Sequence, residues 1–140
     1  MREFIILLHV VGSIGMGLYL LLPFLVMRLG TLAKPLQEGY VAMILAANRI
    51  GQYLLVVQLL TGGYLISKAG VSSSWIITVI VLFVAAGAVT GIIAKPLKKL
   101  KQDGEDSNAS VTLAKINTLA TLVSVIFLLI VILMVYRDLI

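Results

Sequence analysis

Apolar residues run through this chain in four long stretches, Phe4 to Val26, Val41 to Ile66, Trp75 to Ala94 and about Asn117 to Tyr136, separated by short polar segments. A helix needs about 20 apolar residues to cross the hydrocarbon core of a bilayer, and each stretch has the length. The runs are continuously apolar and do not alternate, so the pattern predicts helices and not a membrane barrel. The expected architecture is all-α, an integral membrane four-helix transmembrane bundle. It is expected to form a single domain over 1–140, with helices at about 4–26, 41–66, 75–94 and 117–136. The first run outlasts a secretory h-region and no Ala-x-Ala site follows it, so it is expected to stay as a helix.

The connections carry the turn chemistry. Lys34-Pro35 predicts that no helix continues there, because the residue before proline is driven from the helical region. Ser67 to Ser74 is a tight polar loop around Gly70, and Trp75 is expected in the aromatic belt at the interface. The linker at about 95–110 has a basic half from Lys95 to Lys101, expected to lie against anionic headgroups. Its acidic half, Asp103 to Asn108, reads as a linker.

Composition agrees with this picture: 61% of the 140 residues are hydrophobic and 12% charged, against about half and about a quarter in soluble domains. The net charge of +5 does not point to nucleic acid, because the charges follow the connections. Arg28, Lys34, Lys95, Lys98, Lys99, Lys101 and Lys115 fall on one side, and Arg2, Lys68 and Arg137 on the other. The positive-inside rule then places connections one and three in the cytoplasm and both termini outside, with the lipid bilayer as first partner; the bacterial cell membrane expected for the chain comes with the resemblance given below.

Polar side chains inside the spans are where function is sought. Helix two is the richest, with Asn48, Arg49, Gln52, Gln58 and Thr61. Asn48, Gly51, Gln52, Gln58, Gly62 and Gly63 share one half of its circumference, with Arg49 at the margin. That face is expected to look into the bundle, while Arg49 can snorkel to headgroups or take a ligand. Helix three offers Gly87-x-x-x-Gly91, a spacing for close helix packing within the chain or with another copy, so a homo-oligomer is expected. Helix one carries the only histidine, His9, on a stripe with Gly12, Ser13, Met16, Leu20 and Pro23, at the depth of Gln58 and Thr61.

An intramembrane histidine can ligate a metal or haem, relay protons or bond a neighbour. For haem b, Met134 on helix four or a second His9 from a symmetric dimer could complete the axial pair. The chain has no cysteine, which removes thiolate metal sites and thiol nucleophiles. Phosphate loops, zinc-protease motifs and inward carboxylates are also absent, so general acid and base groups are wanting and a non-enzymatic role is expected.

With Phe4-Ile5-Ile6-Leu7-Leu8-His9-Val10-Val11-Gly12 opening helix one, Leu60-Thr61-Gly62-Gly63-Tyr64-Leu65 closing helix two and Trp75 opening helix three, the chain resembles the small bacterial four-helix membrane proteins related to the copper-resistance D (CopD) family. More distantly it is similar to the HemJ type of protoporphyrinogen oxidase, which shares an early histidine and binds haem. The first resemblance implies copper handling, yet one histidine and no Met-x-x-Met pair supply few soft ligands. The expected function is an accessory or small-ligand-binding membrane protein. The alternatives are a haem or redox protein using His9, and a small oligomeric transporter or channel built around helix two. The seven-to-three charge division yields a direct check: a reporter fused after Ile140 should be active outside the cytoplasm, and cytoplasmic activity would reverse the assignment.

Overall fold

The computed structural model describes residues 1–102 and 109–139, and the described residues form helices and turns only. The helices are α1 (Arg2–Met16), α2 (Leu18–Met27), α3 (Lys34–Ile66), α4 (Ser73–Gln102) and α5 (Ala109–Val135), with single 3-10 turns at Leu29–Thr31 and Arg137–Leu139. Because α1, α2 and the first 3-10 turn run on as one rod, there are four helical segments long and apolar enough to cross a membrane. They form a helical bundle in which α3 packs on α1, α4 on α3, α5 on α4, and α5 returns to α2. Neighbours in sequence are therefore neighbours in space, as short connections require.

The inward face of each rod repeats at helical spacing. Met16, Tyr19, Leu22 and Val26 point in from the first rod, and Val89, Ile93, Leu97 and Leu100 from α4. Large apolar side chains such as Ile14, Phe24, Leu60, Val84 and Val135 lie on the outside. A water-facing surface of this kind would be a large apolar patch, whereas lipid tails cover it at no cost.

The first rod is not one continuous helix, and proline is the cause. Pro23 has no N–H to offer the carbonyl of Tyr19 one turn earlier, and its ring crowds that carbonyl. The chain adjusts just upstream, where Gly17 N–H reaches Ile14 O at 3.0 Å and Leu20 N–H reaches Gly17 O at 3.0 Å, a three-residue reach. A Cβ at residue 17 would stand 2.9 Å from Ile14 O, so only glycine suits this joint. Above the joint α1 packs on α3, and below it α2 packs on α5.

Three expected boundaries move. Lys34-Pro35 does not exclude helix but begins α3, with the proline in the first turn, where a missing N–H has no helical partner to lose. Helix three does not stop at Ala94. It continues through Pro96 to Gln102, because Leu97 and Leu100 are buried and Lys34 Nζ donates to Leu100 O at 2.9 Å, placing a cation on carbonyls near a helix C-terminus. The basic half of the expected linker is thus helix, with Lys95, Lys98 and Lys99 on its exposed side. The acidic half, Asp103 to Asn108, lies outside the described residues. The fourth helix begins well before Asn117, since Ile116 and Thr112 continue its buried face.

Trp75 also differs from its expected place in an aromatic belt. It is only 2% exposed, and its Nε1–H donates to Leu133 O at 2.8 Å, satisfying one of the orphan carbonyls at the end of α5. Its backbone N–H donates to Ser72 Oγ at 3.2 Å, an N-cap that starts α4.

The glycines divide sharply by position. A Cβ at Gly51 would overlap the Tyr19 ring and hydroxyl, while one at Gly87 would meet nothing. Gly51→Ala should therefore cost about 1–3 kcal/mol by overpacking, and Gly87→Ala should be neutral or gain up to about 1 kcal/mol of helix propensity. Unfolding in mixed micelles of mild and denaturing detergent measures both, and equal effects would contradict the packing described.

Candidate functional site

Two polar clusters cross the bundle at different depths. At the middle, Tyr19 OH donates to Asn48, with Oδ1 at 3.1 Å and the carbonyl oxygen at 3.2 Å, and Asn48 Nδ2 donates to Thr90 O at 3.0 Å. Asn48 so ties three rods together, and the side chain is 3% exposed. Tyr19 OH and both polar atoms of the Asn48 amide thus have partners within the bundle. Ser124 Oγ adds a contact to Leu20 O at 3.3 Å, joining α5 to the first rod.

The upper cluster lies between α1 and α3. His9 Nδ1 is 2.8 Å from Thr61 Oγ1, and Thr61 Oγ1 donates to Val57 O at 2.8 Å. A hydroxyl has one proton. With the Thr61 proton on Val57 O, the hydroxyl accepts from His9, a pairing that puts the imidazole proton on Nδ1 and leaves Nε2 with its lone pair. Ser13 Oγ donates to His9 O at 2.8 Å and accepts from Gln58 Nε2. Close approach of the two helices makes these contacts reachable. A Cβ on Gly12 would stand 2.7 Å from Gln58 Oε1, one on Gly15 2.7 Å from Leu54, and one on Gly62 3.3 Å from the His9 ring.

Gln58 Oε1 is buried against Gly12 without a hydrogen-bond partner. A buried acceptor in that state costs about 1–3 kcal/mol.

Because α1 leans on α3 above the Gly17 joint, space opens between α1 and α5. A cavity of about 340 Å³ there is bounded by His9, Ser13 and Gln58 on one side and by Phe127, Ile130 and Met134 on the other. A second, of about 210 Å³, shares His9, Ser13 and Met134 with it and reaches Trp75 and Arg137. A third, of about 360 Å³, shares His9 and Arg137 with the second and is edged by Arg2 and Lys68. His9 is thus common to all three, at the junction of an apolar interior and a cationic mouth.

Of the residues singled out in the sequence, His9, Gln58 and Met134 line one cavity, and Thr61 supports His9 from behind. Asn48 belongs to the middle cluster. Gln52 is half-buried, and Arg49 is exposed on the outer surface, away from these cavities. Gly87 and Gly91 face outward with no atom near a would-be Cβ, so they make no close approach inside the chain. The small-residue packing falls at Gly12, Gly15, Gly51 and Gly62 instead. Sequence reasoning missed Tyr19, whose signal was a phenol in the middle of an apolar run, and the role of Trp75 as a cavity wall. Arg2, Lys68 and Arg137 entered only as a charge count, although all three end spans on the same side.

Among the described residues no three His, Cys, Asp or Glu side chains come together to hold a metal ion. No family model matches the chain, and neither a curated protein nor a solved structure does.

Proposed function

We propose that this is a small-ligand-binding membrane protein without catalytic chemistry of its own, in which His9 receives the ligand. One observation carries the reading: His9, held by Thr61 through Nδ1, lines three cavities that share further residues with one another. A histidine held only for stability has no need of such space. Ligand pockets combine apolar walls with a few placed polar groups, and Phe127, Ile130 and Met134 facing His9, Ser13 and Gln58 meet that description.

The charge division supports an orientation with both termini outside, so that the cationic mouth opens outward. Self-association through the outer face of α4 is supported by the open positions of Gly87 and Gly91.

Haem b is the second reading, favoured by Met134 lining the same cavity as His9. The residues suit the group: Nε2 would supply an axial ligand, Met134 the other, and Arg2, Lys68 and Arg137 cations for propionates. Bound haem would bring redox or gas-binding chemistry. It is also the cofactor that the HemJ resemblance implies, while the copper implied by the CopD resemblance gains no further ligand here.

Absorbance and native mass spectrometry of the purified protein separate these outcomes. A colourless protein is expected, carrying a small molecule that is lost from Met134→Trp, which fills the cavity. An intense visible band that disappears in His9→Ala would move the reading to haem. A protein that carries nothing, and takes up nothing from a total lipid extract, would contradict both.

A further inference from the structure

The three cations at the mouth are spread over the chain, and the fold alone brings them together. Arg2 opens α1, Lys68 follows α3, and Arg137 follows α5, yet all three edge a single cavity. They are the three basic side chains that the sequence assigns to this end of the bundle. Glu3 and Asp138 stand beside Arg2 and Arg137 in sequence, but neither lines this cavity or the two that continue from it. Among the described residues, the wall of the mouth therefore carries positive charge without a lining carboxylate to cancel it.

From the mouth the lining changes character in one direction. Arg137 and Leu65 are shared with the next cavity, then His9, Ser13 and Met134 with the innermost one, and beyond them come Leu20, Phe83, Phe127 and Ile130. From Met134 to Phe127 alone α5 descends about 10 Å. The result is an elongated space, cationic at the top, with a single imidazole nitrogen part way down and hydrocarbon below. A small polar ligand would leave the lower part unfilled, and a plain hydrocarbon would leave the cations unused.

We propose that the site takes an anionic single-chain amphiphile, with its carboxylate or phosphate head at Arg2, Lys68 and Arg137 and its chain running past His9 toward Phe127. This rests on the ligand-binding reading above and adds the class of ligand. Guanidinium groups hold such heads by charge-assisted, often paired hydrogen bonds, and the cations also draw anions to the mouth from solution. The apolar chain contributes through burial beside Phe83, Phe127 and Ile130.

Trp75 provides a built-in reporter, being the single tryptophan of the chain, buried, and part of the wall between Met134 and the mouth. In nanodiscs of neutral phosphatidylcholine, dibromostearate should quench Trp75 saturably, whereas its methyl ester should do so about tenfold more weakly. Replacing the three cations together, Arg2→Gln, Lys68→Gln and Arg137→Gln, should weaken the acid to the level of the ester. These are surface positions, so the fold should persist, as a thermal melt will report. Inorganic phosphate at equal concentration should not displace the acid, and displacement would overturn the amphiphile in favour of a free anion. If acid and ester quench alike and the triple variant changes nothing, the anionic head is wrong. Loss of that shared quenching in Ile130→Phe would still leave a ligand cavity. Quenching that survives Ile130→Phe as well, or no saturable quenching of the wild type, would overturn the amphiphile and the cavity reading together.

Discussion

Hydrocarbon offers no hydrogen bonds, so every polar group carried into the bilayer must find its partner within the protein. In this bundle that requirement decides which helices touch and how closely. Asn48 can reach Tyr19 and Thr90 only if three rods converge at one depth. His9 and Ser13 can reach Thr61 and Gln58 only if α1 and α3 approach to the distance that Gly12 and Gly62 allow. Hydrogen bonds between membrane helices contribute only about 0.6 kcal/mol on average. Their main effect here is on geometry, since a shifted register would leave several polar groups unpaired at once.

The middle of the bundle meets that requirement, and the upper half departs from it. The Asn48 cluster closes on itself. Above it, the Pro23 and Gly17 joint sends α1 toward α3 and away from α5, and the gap that results is bounded by the one histidine. The geometry that satisfies Nδ1 through Thr61 leaves Nε2 bare, and Gln58 Oε1 has no donor. An apolar gap lined by a few placed polar groups is the combination expected of a binding site.

Much of this was legible in the sequence, and the exceptions have physical reasons. Length and hydropathy sufficed for four spans, because the bilayer imposes them. The polar stripe of helix two was read from its 3.6-residue period, and Asn48 and Gln58 are buried accordingly, with Gln52 half-buried and Thr61, off that stripe, buried as well. Pro35 misled, since proline marks a helix start as readily as an end, and the end expected at Ala94 was passed because packing at Leu97 and the contact of Lys34 with Leu100 carry the helix on. Gly87 and Gly91 make no close approach inside the chain, because small-residue spacing says that helices can approach and not which helix does. The cationic mouth was invisible as a cluster, as nothing in a linear chain relates residues 2, 68 and 137 until the rods are set side by side.

The central claim is that His9 keeps its proton on Nδ1 and presents a bare Nε2 to the cavity. Nitrogen NMR of the protein labelled at histidine tests this directly, because a chain with one histidine gives one imidazole to assign. In ligand-free nanodiscs at neutral pH the expected spectrum has a protonated Nδ1 and an unprotonated Nε2, with that balance disturbed in Thr61→Val. A proton on Nε2 in the unaltered protein, or an imidazolium with both nitrogens protonated, would contradict the account.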